Sequence, residues 1–365
     1  MTTTATAAVI REPHGQFFLE TVELEEPRSD EIRVRLEASG ICHTDILAQE
    51  HTPLPAVFGH EGAGVVEAVG SAVNRVRPGD RVIVSYPWCG TCPKCVEGEP
   101  YICDHAMPLS FAGTRLDGSR PISLGGQSVS SAFFQQSSFA SHAITLERDV
   151  VPVRGDHPPE MLAALACGVQ TGAGAILNTL QVGAKHSLVV FGAGAVGLSA
   201  VMAGRLTGAS PLIAVDVVDE RLHLALELGA THTLNAKEGD IASRIRGIVP
   251  RGVDFTFETS ANEQALNDAI MCLCMGGQCG IVIAPHFGQK YPFSPTEILS
   301  HAATLRGIIQ GSALPNTFLP KLIDLNQQGR FPYERLITTY DFTDINKAFA
   351  DTKAGRAIKP VLKMS

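Results

Sequence analysis

The stretch that most restricts the fold is Leu188 to Gly204, LVVFGAGAVGLSAVMAG. A short apolar run ends in Gly192-Ala-Gly194-Ala-Val-Gly197, and an apolar run with helical spacing follows. Three glycines so placed between a strand and a helix suit a dinucleotide-binding turn. The first permits the tight turn, the second lets the backbone approach a pyrophosphate, and the third lets the helix lie close on the strand. N–H groups at the helix N-terminus would then face the phosphates. The motif alone is weak, because any glycine turn can match it. Here the next apolar run, LIAVD, ends in Asp216, about where a ribose-binding carboxylate belongs. Val217, Val218 and Asp219 follow, with no immediate arginine to receive a 2′-phosphate, so the site favours NAD over NADP. Arg221 is either part of an adenosine pocket or a solvated helix residue.

The rest of the second half repeats the same grammar. PLIAVDVVDERLHLALELGA, VDFTFETS, QALNDAIMCLCMGG and QCGIVIA alternate strand with helix, which indicates a parallel, doubly wound sheet. Residues 1 to about 150 instead read as β-rich, with runs such as IRVRLEASG, GAGVVEAVG and DRVIVSY between Gly, Pro and Asp. Residues 110–137 read as loop, and PPEMLAALACGVQTGAGAILN has helical spacing. A chain of 365 residues with this change of texture is expected to form two domains. A net charge of −8 without a basic stripe argues against nucleic-acid binding. The N-terminus lacks the pattern of a secretory signal, and the most apolar stretch is broken by glycines, so a cytosolic chain is expected, with no membrane partner.

Reducing surroundings bear on the cysteines. There are nine, and four fall in the run CGTCPKCVEGEPYIC as Cys89, Cys92, Cys95 and Cys103. An odd total in a reduced compartment weakens a disulfide reading. Four thiolates saturate tetrahedral zinc and leave no open position, the pattern of a structural site; an iron–sulfur cluster also uses four. Zinc is favoured, because a dinucleotide already supplies the redox chemistry. Cys42, His60 and Cys167 lie in three separate segments, GICHTD, FGHEGAG and LACGVQTG. Taken singly, a buried cysteine is most often a small apolar residue, and spacing does not link the three.

Taken in order, GHEGAGVVEAVG, VRPGDRV, the four-cysteine lobe, CGVQTGAGA and FGAGAVGLSA make the chain resemble the zinc-dependent, medium-chain alcohol dehydrogenases over essentially its whole length. GTRLDGS, FFQQSSFASHA and LACGVQTGAGAILN look most like the bacterial aryl (benzyl) alcohol dehydrogenases among them. The resemblance implies an α/β protein. A GroES-like, β-rich catalytic domain (1–168 and 310–365, with the zinc lobe at 89–103) would be interrupted by a Rossmann NAD-binding domain (169–309). It implies NAD and two zinc ions. Cys42, His60 and Cys167 would hold a catalytic zinc; Asp45 would orient His60, Glu61 would sit beside the metal, and Thr44 would accept the alcohol proton. His43 and Lys359 would contact the pyrophosphate, Val196 would back the nicotinamide and Thr171 would lie near its ring. Ser85, Trp88, Leu109, Phe133, Phe134, Pro285 and His286 would line the substrate pocket, unless the aromatic residues are simply core.

Two departures bear on the chemistry. Leu47 stands where many relatives end their proton relay in histidine, and the stretch between Cys42 and His60 is short for the family, which implies a tighter rim. The expected reaction is hydride transfer between NAD and a primary benzyl-type alcohol or its aldehyde. A geraniol-type terpenoid alcohol is the alternative, and a non-catalytic NAD-binding redox sensor the remote one. A homodimer or homotetramer is expected, with the apolar strand QCGIVIA extending a sheet across a two-fold axis.

Overall fold

The computed structural model describes residues 3–282, 288–292 and 294–364. The chain divides into two units. One comprises Met1–Cys167, Leu314–Lys321 and Glu334–Ser365; the other comprises Gly168–Ala313 and Leu322–Tyr333. The helix Pro315–Gln327 starts in the first unit and ends in the second, so the chain returns in steps rather than in one crossing near Gln310.

The first unit holds two sheets. In the larger, Glu31–Gly40 pairs antiparallel with Gly62–Val69, His142–Leu146 and Lys359–Lys363. Its sequence, EIRVRLEASG, alternates enough to bury Ile32, Val34 and Leu36 on one face. The turn in VRPGDRV uses Gly79 at φ +96° and leads into the strand Arg81–Val84, a backbone state that glycine supplies without a Cβ clash. In the smaller sheet Thr3–Ile10 lies between Phe17–Leu24 and Ala56–Val57. A core of aromatic rings, including Phe17, Phe58, Phe133, Phe139 and Phe349, packs against it. Residues 110–137 are not simply loop: Ile122–Leu124 and Gln127–Val129 form a hairpin across Gly125 and Gly126, at φ +56° and +78°. A two-residue turn with both φ positive is the preferred hairpin connection, but strands of three residues are too short to show alternation.

The second unit is a six-stranded parallel sheet. Its order is His232–Asn235, Leu212–Asp216, Leu188–Phe191, Val253–Glu258, Leu273–Ile281, Thr304–Gly307. The order reverses beside Leu188–Phe191, and ligands of such sheets bind at that switch point, beyond the carboxyl ends of the strands. The helix Ala195–Thr207 starts there and stops at Gly208, φ +75°, whose N–H bonds back to Arg205 and Gly204. QCGIVIA does not form the sheet edge. Its strand, Leu273–Ile281, is paired on both sides, and the edge is Thr304–Gly307. That edge, TLRG, is short and largely exposed, so it carries none of the apolar signal of an inner strand.

The chain passes from one unit to the next within Pro159–Thr179. This run is helical, with π-type turns at Leu165–Val169 and Ala175–Thr179. It is long and apolar enough to cross a membrane, at a mean hydropathy of 1.4, but 78% of it is buried, the condition of a core helix.

Candidate active site and metal centres

In the lobe, the sulfurs of Cys89, Cys92, Cys95 and Cys103 all lie within 4.8 Å of one another. Cys89 and Cys95 are 3.8 Å apart, Cys92 and Cys103 3.9 Å. Four ligands at the Zn–S bond length of about 2.3 Å have tetrahedral edges of about 3.8 Å, so the site fits zinc. A cluster, whose thiolates sit on separate irons, needs them farther apart. Backbone amides point at the sulfurs: Thr91 and Cys92 donate to Cys89, and Cys89 and His105 donate to Cys103. Burial pushes the Cys89 thiol up, but these N–H groups outweigh it and bring it down to about 6.

The second cluster joins Cys42, His60, Glu61 and Cys167, again with one donor atom each within 4.8 Å. Cys42 caps the short helix His43–Leu47, and Asp45 in its first turn accepts from the Cys42 N–H. Oδ1 of Asp45 is 2.9 Å from Nδ1 of His60. That contact fixes the ring and leaves Nε2 buried without a partner, which suits a metal ligand. Cys167 sits in the π-type turn Leu165–Val169, a local irregularity often found at functional sites. The hydrogen bond from the Cys167 thiol holds Cys42 well below the usual thiol range. The donor set of two sulfurs, a histidine nitrogen and a carboxylate oxygen, with an orphaned buried nitrogen among them, fits zinc.

Glu61 closes the back of this cluster and is fully buried. Burial pushes its carboxyl up despite the Lys359 ammonium against it. Lys359, expected at the pyrophosphate, is instead 2% exposed and committed to this ion pair. A lone buried ammonium is costly, and a paired one is the tolerated form. A Cβ on Gly40 would lie 1.9 Å from Glu61 Oε2, so the strand can pass the pair only as glycine. Thr44 is half-buried, with Oγ1 3.7 Å from the Cys42 sulfur; His43 is exposed.

Of the expected pocket residues, Phe134 stacks on His60, with ring centroids 4.6 Å apart and planes at 28°. Phe133 is core: its ring meets Phe58, Phe111 and Phe134 edge-on. Leu109 packs with the lobe cysteines, not in an open cleft. Ser85 is buried, its hydroxyl on the Ala166 carbonyl, and Trp88 is half-buried, its carbonyl held by Arg148. Pro285 and His286 lie outside the described residues. Gln136 makes four hydrogen bonds around His60 and was missed by the sequence reading; no local pattern marks it.

In the second unit the three glycines divide their roles. Gly192 has φ +93°, and a Cβ there would meet Thr259 Oγ1 at 2.5 Å; a Cβ on Gly197 would meet the Gly192 carbonyl at 1.8 Å. Around Gly194 the space is open, as a phosphate-facing residue requires. Asp216 accepts from the Ala193, Val217 and Val218 amides. It lines a cavity of about 570 Å³ with Gly192, Asp240, Ile241, Ser260 and Asn262, large enough for part of a dinucleotide. Arg221, in the helix Asp219–Leu228, is not among the lining residues. Thr171 is buried and Val196 half-buried; a Cβ on Gly172 would meet the Val196 carbonyl at 2.0 Å, so their two helices touch backbone to backbone.

Comparison with known proteins agrees with this construction. Residues 28–154 match the alcohol dehydrogenase GroES-like domain, and residues 195–327 the zinc-binding dehydrogenase domain. The chain is 42% identical to a geraniol dehydrogenase of Castellaniella defragrans over 98% of its length and 97% of the relative's. The structure of an alcohol dehydrogenase zinc-binding domain protein from Burkholderia ambifaria matches at 44% identity and TM-score 0.97, over all of both chains. The benzyl alcohol dehydrogenase structure from Acinetobacter calcoaceticus matches at 39% and 0.95, also over all of both. The chain therefore belongs to the zinc-dependent medium-chain alcohol dehydrogenases, with a GroES-like and a Rossmann domain. Zinc and NAD are the cofactors this family implies.

Proposed function

We propose that the protein interconverts a primary aromatic alcohol of benzyl type and its aldehyde, with NAD as hydride carrier and two zinc ions per chain. The observation that carries the substrate class is the aromatic wall at the metal ligand: Phe134 flat on His60, backed by Phe111 and Phe133. An aromatic surround of this kind suits a planar, apolar substituent. Zinc at Cys42, His60 and Cys167 supplies a Lewis acid that lowers the pKa of a bound hydroxyl. Asp45 fixes the His60 tautomer, and Glu61 with Lys359 sets the charge behind the site. Thr44, half-buried beside Cys42, receives the alcohol proton at Oγ1; Leu47 ends that route, so His43 or water carries the proton on. Asp216 holds the adenosine ribose, and Gly194 faces the pyrophosphate. Val196 and Thr171 flank the nicotinamide.

A second reading rests on the 42% identity to geraniol dehydrogenase. Geraniol is an allylic primary alcohol, so both readings share an unsaturated carbon beside the carbinol and differ in length. Steady-state turnover of benzyl alcohol, geraniol, ethanol and a secondary polyol with NAD separates them. Benzyl alcohol is expected to lead in kcat/KM. A lead for geraniol favours the second reading, and one for ethanol or the polyol overturns both. Zinc analysis is expected to find two ions per chain; one would indicate a relic that kept only the lobe. We further expect a cytosolic homodimer or homotetramer, which light scattering of the purified protein would check.

A further inference from the structure

The second cluster takes one histidine, and Asp45 sets only the direction of its ring. The position of the ring depends on the backbone from Val57 to Gly62. Residues 136–139 hold that backbone group by group. Ser137 Oγ donates to the Val57 carbonyl at 2.6 Å, the Phe139 N–H to Phe58 at 2.9 Å, and the Ser138 N–H to Gly59 at 2.9 Å. At residue 60 the holding group is a side-chain amide. Gln136 Nε2 donates to the His60 carbonyl at 3.0 Å, while its Oε1 accepts from the Gly62 N–H at 3.0 Å. The same Nε2 reaches the Ser85 and Val84 carbonyls at 3.2 and 3.4 Å, tying the loop to the end of the strand Arg81–Val84. Gln136 is 1% exposed, so none of these bonds is shared with solvent.

The holding segment is itself in an uncommon shape. Phe134, Gln135 and Ser137 have φ of +50°, +52° and +48°, and none is glycine. Side-chain-bearing residues keep such angles only where their surroundings over-determine them, and such angles cluster at functional sites. Gln135 supplies part of that restraint, donating to the carbonyls of Leu109, Thr114 and Ala132. The bends bring the Phe134 ring flat onto His60 and put the Gln136 amide against the carbonyl of the same residue.

We propose that Gln136 is a positioning residue for the His60 metal ligand, setting where the ring stands while Asp45 sets where it points. This rests on His60 being a ligand of the catalytic metal. Partners one step out from a metal ligand typically change metal affinity by 10–100-fold when removed. The test uses the full-length protein with cobalt in the catalytic site, reading the visible d–d spectrum and the rate of cobalt loss to a chelator. Gln136→Met keeps the size and removes the amide. It is expected to shift the d–d bands and to speed cobalt loss about 10-fold or more. Gln136→Glu keeps an acceptor for Gly62 but, ionised, has no donor for His60, and is expected to follow Gln136→Met. Ser131→Ala removes a buried hydroxyl that bonds Val129 and Ile122 rather than residues 57–62 or 134–137, and is the control for folding alone. It is expected to lower the melting temperature while leaving spectrum and release rate as in the parent. Equal effects of Gln136→Met and Ser131→Ala on cobalt, or no effect of Gln136→Met, would overturn the proposal. If the parent protein takes up cobalt only in the cysteine lobe, the metal reading of the second cluster fails, and the proposal with it.

Discussion

In the lobe all four sulfurs come from residues 89–103, and so do most of the amides that face them. At the second cluster the donors come from residues 42, 60, 61 and 167, with Lys359 behind them from the far end of the chain. The first site can be assembled by a short loop closing on itself. The second exists only when several strands and a helix have already packed. The lobe is therefore legible as a spacing, and its damage should stay local to stability. The second site is invisible to spacing, and its damage should reach the chemistry.

The largest expected effect separates the two directly. Cys42→Ala should lower kcat by about 10³-fold or more, since a Lewis acid contributes several kcal/mol. Metal content should fall from two ions per chain to one, while the circular dichroism spectrum stays unchanged. Loss of both metals would show that the sites are not independent. Cys103→Ser should do the converse, releasing the lobe metal and lowering the melting temperature by roughly 5–10 °C. Its kcat at low temperature should remain within about 10-fold of the parent, a rise of no more than about 1.4 kcal/mol in the barrier.

Gly40→Ala tests how far the second site depends on distant packing. The added Cβ meets Glu61, so the buried pair with Lys359 must shift or break. Breaking such a pair costs about 3–5 kcal/mol, read as a lower denaturant midpoint together with lost activity. An active variant of parental stability would show that the pair is not needed.

A further effect, read against pH, concerns a non-local attachment of the lobe. Arg148 holds the carbonyl of Trp88, the residue before Cys89, and Asp149 beside it is buried. Burial, partly offset by the Arg148 charge and the Trp88 amide, pushes Asp149 up to about 8. An unfolded aspartate titrates near about 3.9, so the folded chain binds this proton more tightly. The stability it supplies is full below about pH 4 and is lost as pH rises through the folded value of about 8. Asp149→Asn removes the titration. The unfolding free energy of the variant, from denaturant midpoints, should gain on the parent between pH 5 and pH 8, by at most about 1.4 kcal/mol per pH unit. A difference independent of pH would mean that Asp149 does not titrate in this range.

Several site residues show where sequence reading stopped. Gly192, Gly194 and Gly197 were legible because each role is set by its immediate neighbours. Cys42, His60 and Cys167 came through family resemblance, since no local pattern joins them. Lys359 was misplaced because nothing in AIKPVLKM states that a strand carries its ammonium to Glu61, nearly three hundred residues away. Leu109 was expected in the pocket but packs on the lobe, and QCGIVIA looked like an edge only because its neighbour, TLRG, has so little apolar character. Gln136 had no signal at all: a buried amide is recognised by the backbone groups around it, not by its flanking residues.

By itself, the sequence determined what depends on short-range geometry: the glycine turn and its acid, the four-sulfur lobe, and the alternation of strand and helix. These are consequences of backbone freedom and ligand spacing over a few residues. Only the tertiary structure decided which scattered donors meet and which charge lies behind them. It also decided what holds His60 in place, because burial brings distant polar groups together and leaves each of them to be satisfied by whichever partner the packing supplies.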